Sequence, residues 1–251
     1  MTAASGSRGG SSVSSVKRCV IVGATSGIGR ALAQVFAEAG YEIGITGRRA
    51  ELLASLAAEL PTRCCTRCFD VCGDDAMAEM TELIAELGTV DVVVVNAGVG
   101  TPNRSLAWPP EQATIDTNVV GFAAMCNVAW HQFTKQGHGH LVGISSILAL
   151  RGGPNCAYNA SKAFASSYLA GLRSRSKKYK LGIDVTDIKP GFVDTALAKG
   201  TLFWVATPDK AARQIFAAVE AKRKHAYITR RWRLIAWLLK LMPDGLYNRI
   251  N

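Results

Sequence analysis

Residues 18–29 read RCVIVGATSGIG. Four apolar residues in a row lead straight into a turn holding Gly23, Gly27 and Gly29, and residues 27–39 then carry helical spacing. An apolar run this short and unbroken fits a strand buried on both faces. Glycines in the turn allow angles closed to other residues and let the backbone approach a bound group closely. They also aim a helix N-terminus, with its free N–H groups, at that group, an arrangement that suits a pyrophosphate. Strand, glycine turn and helix in this order predict the first unit of a dinucleotide-binding α/β fold.

Outward from that unit the same alternation continues. Strands are expected at 41–46, 64–69, 91–96 (DVVVVN), 140–145, 182–188 and 226–229. Helices are expected across 50–60, 75–87, 111–136, 157–178 and 208–222. Such alternation predicts a doubly wound parallel sheet, a Rossmann fold in a single domain over residues 17–229, with ligands outside the carboxyl ends of the strands. Residues 1–16 are Ser/Gly-rich and read as a disordered tail, and residues 230–251 as a basic, apolar helical extension.

The turn's spacing is G-x-x-x-G-x-G rather than the commoner G-x-G-x-x-G. It resembles the short-chain dehydrogenase/reductase family, and further positions carry the resemblance. Asn96-Ala97-Gly98 follows the fourth strand, Asn118 stands in the next long helix, and Ser145-Ser146 close the fifth strand. Tyr158 and Lys162 form Tyr-x-x-x-Lys, and Pro190-Gly191 follows the sixth strand, with Val193 and Thr195 just beyond. The resemblance implies a nicotinamide cofactor held by Gly23, Thr25, Ser26, Gly27, Ile28, Gly29, Asn96, Ala97, Gly98, Tyr158, Lys162, Pro190, Gly191, Val193 and Thr195. It places Asp70 and Val71 beside the adenine. It also implies catalysis by a serine, Tyr158, Lys162 and Asn118, the last holding a water that links Lys162 to solvent.

Two readings of the residues stand beside that resemblance. Tyr158 and Lys162 are four apart, one helical turn, so an ammonium lies near a phenol whose ordinary pKa is about 10 and is expected to lower it. Tyr158 is then the proton donor and acceptor. After the second strand stand Gly47-Arg48-Arg49, with no acid before Glu51. A carboxylate there would hold the ribose hydroxyl of NAD, whereas a guanidinium can bind a 2′-phosphate in bidentate fashion. Arg48, then Arg49, therefore predict NADP(H). Which serine works is less direct. Ser145 lies 13 residues before Tyr158, the family's usual spacing, while the text at the strand end favours Ser146. Strand alternation lets only one face the site, and Ser146 is the choice. The expected enzyme moves hydride between nicotinamide and a carbonyl or secondary alcohol of a partly hydrophobic small molecule. The competing reading is an NADP(H)-binding redox sensor on the same fold.

Composition narrows the remaining questions. Seven cysteines without disulfide spacing favour a reducing, cytoplasmic setting. Cys64, Cys65, Cys68 and Cys72 crowd one strand, whose alternation turns neighbours to opposite faces, so buried free thiols are expected and no metal. No apolar run reaches the roughly 20 residues a spanning helix needs. The charge of +10 is concentrated: residues 171–240 hold 16 Lys/Arg against 5 Asp/Glu. That surplus suits anionic lipid, a phosphorylated substrate or a solvated face, and no nucleic-acid partner is expected. Leu106, Trp108, Leu197, Leu202, Phe203 and Trp204 are expected to border the substrate. Residues 231–251, RWRLIAWLLKLMPDGLYNRIN, are too apolar for a well-solvated helix. A bilayer surface, a homodimer or homotetramer interface, or a flap over the substrate would each cover them.

Overall fold

Every run anticipated as a strand forms one in the computed structural model, which describes residues 16–195, 204–243 and 245–247, less the side chain of Lys240. The strands are β1 (Arg18–Val22), β2 (Glu42–Gly47), β3 (Cys64–Cys68), β4 (Val92–Val95), β5 (Gly139–Ile144), β6 (Ile183–Pro190) and β7 (His225–Ile228). They make one sheet in the order β3-β2-β1-β4-β5-β6-β7, parallel throughout. The continuous apolar runs have their reason here. Cys19, Ile21, Val92 and Val94 feed one core, while Val20, Val22, Val93 and Val95 feed the other. The first core lies under α1 (Gly27–Glu38), α2 (Ala50–Glu59) and α7 (Pro208–Glu220). The second lies under α3 (Ala76–Leu87), α5 (Phe122–Gln136) and α6 (Cys156–Tyr179).

Strand order reverses between β1 and β4, which opens a crevice at their carboxyl ends. The long helix expected at 111–136 begins earlier and is not uniform. It runs as α4 (Trp108–Ile115), a π turn (Asp116–Gly121) and α5. The π turn contains Asn118 and faces the crevice, a common place for such a widening.

After β7 comes α8 (Trp232–Leu241). Trp232 and Ala236 are buried, and Ile235 and Leu239 pack beside them against Ile147, Leu148, Leu150, Phe192 and Tyr227. Arg151 donates to the main-chain carbonyls of Leu239 and Met242, closing the helix C-terminus. The flap therefore accounts for one face of α8 only. Its other face, with Leu234, Trp237, Leu238 and Leu241, remains exposed. Among the described residues, no helix is long and apolar enough to cross a membrane.

The crowded cysteines separate as alternation requires, Cys65 turning into the core and Cys68 out to solvent. No group of three His, Cys, Asp or Glu is placed to hold a metal among the described residues. Burial pushes the Cys64 thiol up to about 12, which keeps it protonated.

Candidate active site

The glycine turn needs its glycines. Gly23 has φ +85°, and a Cβ there would stand 2.7 Å from Cα of Ala97. A Cβ on Gly29 would meet the carbonyl oxygen of Gly23 at 2.0 Å. Gly27 has φ +56° and lies against Thr195, so the loops after β1 and β6 close on one another across the crevice. Asn96 fastens the same turn by donating from Nδ2 to the carbonyl of Gly23 at 2.7 Å. A cavity of about 530 Å³ results, lined by Gly23, Thr25, Ser26, Gly27 and Ile28 and, across from them, by Arg48, Arg49, Asp70, Val71 and residues 96–98. The N-terminus of α1 points into it, as an anion site requires.

The two arginines do different things. Arg48 pairs with Asp70 at 3.3 Å, and Arg49 donates to the hydroxyls of Thr25 at 2.5 Å and Ser26 at 3.0 Å. Arg49 thus reaches over the glycine turn, whereas Arg48 lies at the cavity's edge.

A second cavity, of about 370 Å³, continues from the first through Ile28, Asn96, Gly98 and Thr195. Ser146, Tyr158 and Lys162 line its floor, Pro190, Gly191 and Val193 one side, and Leu148, Asn155 and Phe192 the outer wall. Strand β5 places the serines. Ser145 is still paired to β6, its N–H donating to the carbonyl of Ile188 at 2.8 Å. Its hydroxyl donates to Oδ1 of Asp187 at 2.5 Å. Ser146 turns instead to the cavity that Tyr158 and Lys162 also line. It also accepts from the N–H of Leu148 at 3.1 Å, which starts a 3₁₀ turn (Ile147–Leu150).

Tyr158 lies in the first turn of α6. Glu111 of α4 caps that turn by accepting from the N–H of Ala157 at 3.0 Å. Lys162, one turn on, donates to the carbonyl of Ile144 at 3.0 Å, with Nζ 5.8 Å from the Tyr158 ring centre. Burial is the larger influence on both groups. It raises the Tyr158 phenol above its ordinary value, which the Ser146 hydroxyl partly offsets. The expected lowering by Lys162 is therefore not what governs this tyrosine. Burial also brings Lys162 down to about 8, the nearby Asp187 acting against it. Asn118 holds Val99 from both sides, accepting from its N–H and donating to its carbonyl, each at 2.8 Å. Its Nδ2 donates as well to the hydroxyl of Ser161 at 3.0 Å. Gly98 lies between Asn118 and Lys162, where a Cβ would be 3.2 Å from both polar atoms.

Several expectations about the substrate side change. Leu106 and Trp108 are exposed and line a separate surface hollow with Ile115 and Val119, not the cavity over Tyr158. Leu197, Leu202 and Phe203 lie outside the described residues. Trp204 stands edge-on to Trp232 at 6.2 Å, beyond the outer wall. Sequence reasoning missed that wall, because Phe192 and Leu148 carry no motif. It also missed Asp187, whose buried carboxylate accepts from Ser145, Ser166 and Lys189. The Asp-x-Lys pattern in a strand with both faces covered was the available signal.

A doubly wound sheet with a glycine-turn cradle and a Ser/Tyr/Lys cluster at its switch point defines a class of dinucleotide-binding α/β proteins. The sequence profile described as short chain dehydrogenase matches residues 17–204, and the chain belongs to this family of oxidoreductases, which use nicotinamide cofactors. An oxidoreductase of Myxococcus xanthus, described as uncharacterized, is 35% identical over 248 residues, 93% of this chain and 96% of that one. Dehydrogenase/reductase SDR family member 7B of Bos taurus is 31% identical over 258 residues, covering 92% of this chain and 79% of its own. Two solved structures share the fold. The 3-ketoacyl-(acyl-carrier-protein) reductase of Brucella melitensis, complexed with NADH, has a TM-score of 0.77 at 23% identity, covering 85% of this chain and 98% of that one. The alcohol dehydrogenase of Thermococcus sibiricus, complexed with 5-hydroxy-NADP, has a TM-score of 0.74 at 22% identity, covering 84% and 95%.

Proposed function

We propose that this protein is an NADP(H)-dependent reductase or dehydrogenase acting on the carbonyl or secondary alcohol of a partly hydrophobic small molecule. The observation that carries the reading is that Ser146, Tyr158 and Lys162 line one cavity, and that this cavity continues into the one over the glycine turn. The two cavities fit the cofactor end to end: residues 23–29 take the pyrophosphate, Asp70 and Val71 the adenine side, and Pro190, Gly191, Val193 and Thr195 the nicotinamide side. Arg49, held over the glycine turn, and Arg48 beside it supply positive charge for a 2′-phosphate.

When bound, nicotinamide supplies or accepts a hydride at C4. The chain's own groups manage the proton. In reduction Tyr158 donates its phenolic proton to the carbonyl oxygen as that carbon gains hydride, and in oxidation it takes the proton back. A raised pKa keeps the phenol protonated and ready to donate at neutral pH. Ser146 donates a hydrogen bond to the same oxygen, orienting it and stabilising the charge that develops there. Lys162 holds the cofactor ribose and returns the proton to Tyr158. Both Nδ2 hydrogens of Asn118 are engaged, by Val99 and Ser161, so a water relay at this residue uses an acceptor oxygen, such as the second lone pair of Oδ1.

The working unit is residues 17–229 with 230–251 as an extension, in a cytoplasmic homo-oligomer. The test is Tyr158→Phe assayed with NADPH against a panel of ketones. Turnover should fall at least about a thousandfold, the upper part of what general acid–base groups contribute, while NADPH binding is retained. A variant that still turns over removes Tyr158 from the chemistry. A wild type that binds NADPH yet turns over no carbonyl or alcohol favours the sensor reading.

A further inference from the structure

We infer that the outer face of α8 and the arginine groove beside it form a docking site for an anionic lipid bilayer. This inference stands apart from the reaction proposed above, because its test requires no turnover.

The helix has two apolar faces, with Arg233 and Lys240 on a flank between them, yet only one of those faces has a protein partner. At about 100° per residue, positions 232, 235, 236 and 239 fall together on the inner side, while 234, 237, 238 and 241 fall opposite. The outer four are exposed: Leu234 by 71%, Trp237 by 68%, Leu241 by 61% and Leu238 by 52%. Four large apolar side chains on one face of a ten-residue helix form a contiguous patch of a kind soluble surfaces rarely leave open. Trp204 and Val205, exposed by 42% and 41%, stand close to the helix's first turn.

Charge selects the occupant. Residues 221–243 contain seven Lys/Arg and no Asp or Glu. A second copy of this chain meeting the same face across a two-fold axis would set these cations against their own equivalents. An anionic surface meets them with opposite charge. Next to the patch lies a groove of about 500 Å³ lined by Arg223, Arg230, Arg231, Arg233 and His225. Guanidinium groups suit phosphate, which they can bind in bidentate fashion. Leu234 belongs both to this groove and to the exposed face, so phosphate sites and insertion face share an edge. Tryptophan and leucine on one side with arginines at the border is the pattern of a helix lying in a membrane interface.

Vesicles of phosphatidylcholine containing phosphatidylglycerol, compared with phosphatidylcholine alone, test the inference by co-sedimentation. The full-length protein should pellet with the anionic vesicles only, and less so as salt is raised. Trp237→Glu should weaken partitioning about tenfold or more by putting a charge on the inserting face. Combining Arg230→Gln with Arg233→Gln should weaken it about 25-fold, about fivefold for each charge. All three side chains are exposed, so the melting temperatures of both variants should match the wild type, which separates lost binding from lost folding. Protein that stays in the supernatant with both vesicle types overturns the inference, and so does equal pelleting with phosphatidylcholine alone. A wild-type dimer that Trp237→Glu dissociates, without any vesicle binding, also overturns it and makes a second copy the occupant.

Discussion

Ser145 and Ser146 are adjacent and chemically identical, yet the geometry assigns them opposite losses. Ser145→Ala removes the one hydroxyl hydrogen, which lies within reach of the buried Asp187 carboxylate at 2.5 Å and of the Ile188 carbonyl at 2.9 Å. The carboxylate keeps Ser166 and Lys189. Losing one hydrogen bond to a charged, buried group costs about 2 kcal/mol. For a chain of this size that is a fall in Tm of roughly 4–8 °C. Although Ser145 borders the cavity, its hydroxyl is committed to Asp187 and Ile188, so kcat should stay within a few-fold of wild type. Ser146→Ala removes the hydroxyl beside Tyr158 and the start of the 3₁₀ turn, the latter worth about 1 kcal/mol. Its main effect falls on the reaction, a drop in kcat of about 10²–10³ from one missing oxyanion donor. Thermal unfolding and steady-state kinetics on the two variants, each measured with the same ketone and NADPH, give four numbers. If Ser145→Ala loses kcat at unchanged Tm while Ser146→Ala keeps turning over, the facing of the pair is wrong, and the chemistry built on it fails too.

Three further variants are read by the same assays. Arg49→Ala should raise KM for NADPH about tenfold or more while leaving NADH little changed, and Arg48→Asp should shift the ratio of kcat/KM toward NADH. An equal loss for both cofactors would move the 2′-phosphate site elsewhere. Folding brings Lys162 from 10.5 down to about 8, so the folded protein carries its ammonium at a cost below pH 8, and that cost disappears as pH rises towards 10.5. Lys162→Met should therefore be more stable than wild type at pH 7, by up to about 3 kcal/mol, and unfold at a higher temperature, with the gap closing toward pH 10. A lower Tm at pH 7 would show that the Nζ bond to Ile144 outweighs the desolvation.

What could be read from the chain alone was whatever is local. Residues 18–29 define a strand, a turn and a helix among themselves, and DVVVVN can only be a strand covered on both sides, so sheet and cradle followed. The widening at Asp116–Gly121 has no such mark, since a shift from four-residue to five-residue hydrogen bonding changes no apolar spacing. The serine that faces Tyr158 depends on where β5 stops pairing with β6, which is set by Ile188, more than 40 residues away. The tyrosine's environment was misjudged for a related reason. Four-residue spacing brings Lys162 near, but only the packed structure reveals that burial outweighs the charge. Glu111 capping α6 and Phe192 walling the cavity are contacts between distant segments, and neither residue advertises its partner.

Gly191 has one further consequence. The space where its Cβ would be is taken by the Trp232 indole, 2.1 Å from that point, and the next residue, Phe192, meets the same indole edge-on at 5.2 Å. A single ring is thus wedged between the C-terminal helix and the strip of chain that walls the reaction chamber. Load placed on the outside of α8 travels through that wedge to Phe192. Tyr158 is braced from α4 through Glu111, while its neighbour Asn159 donates to the main-chain carbonyls of Leu148 and Arg151, and Arg151 in turn holds the end of α8. The wall and the proton donor are therefore tied to the same 3₁₀ turn, and changes in the last 20 or so residues would be felt at both.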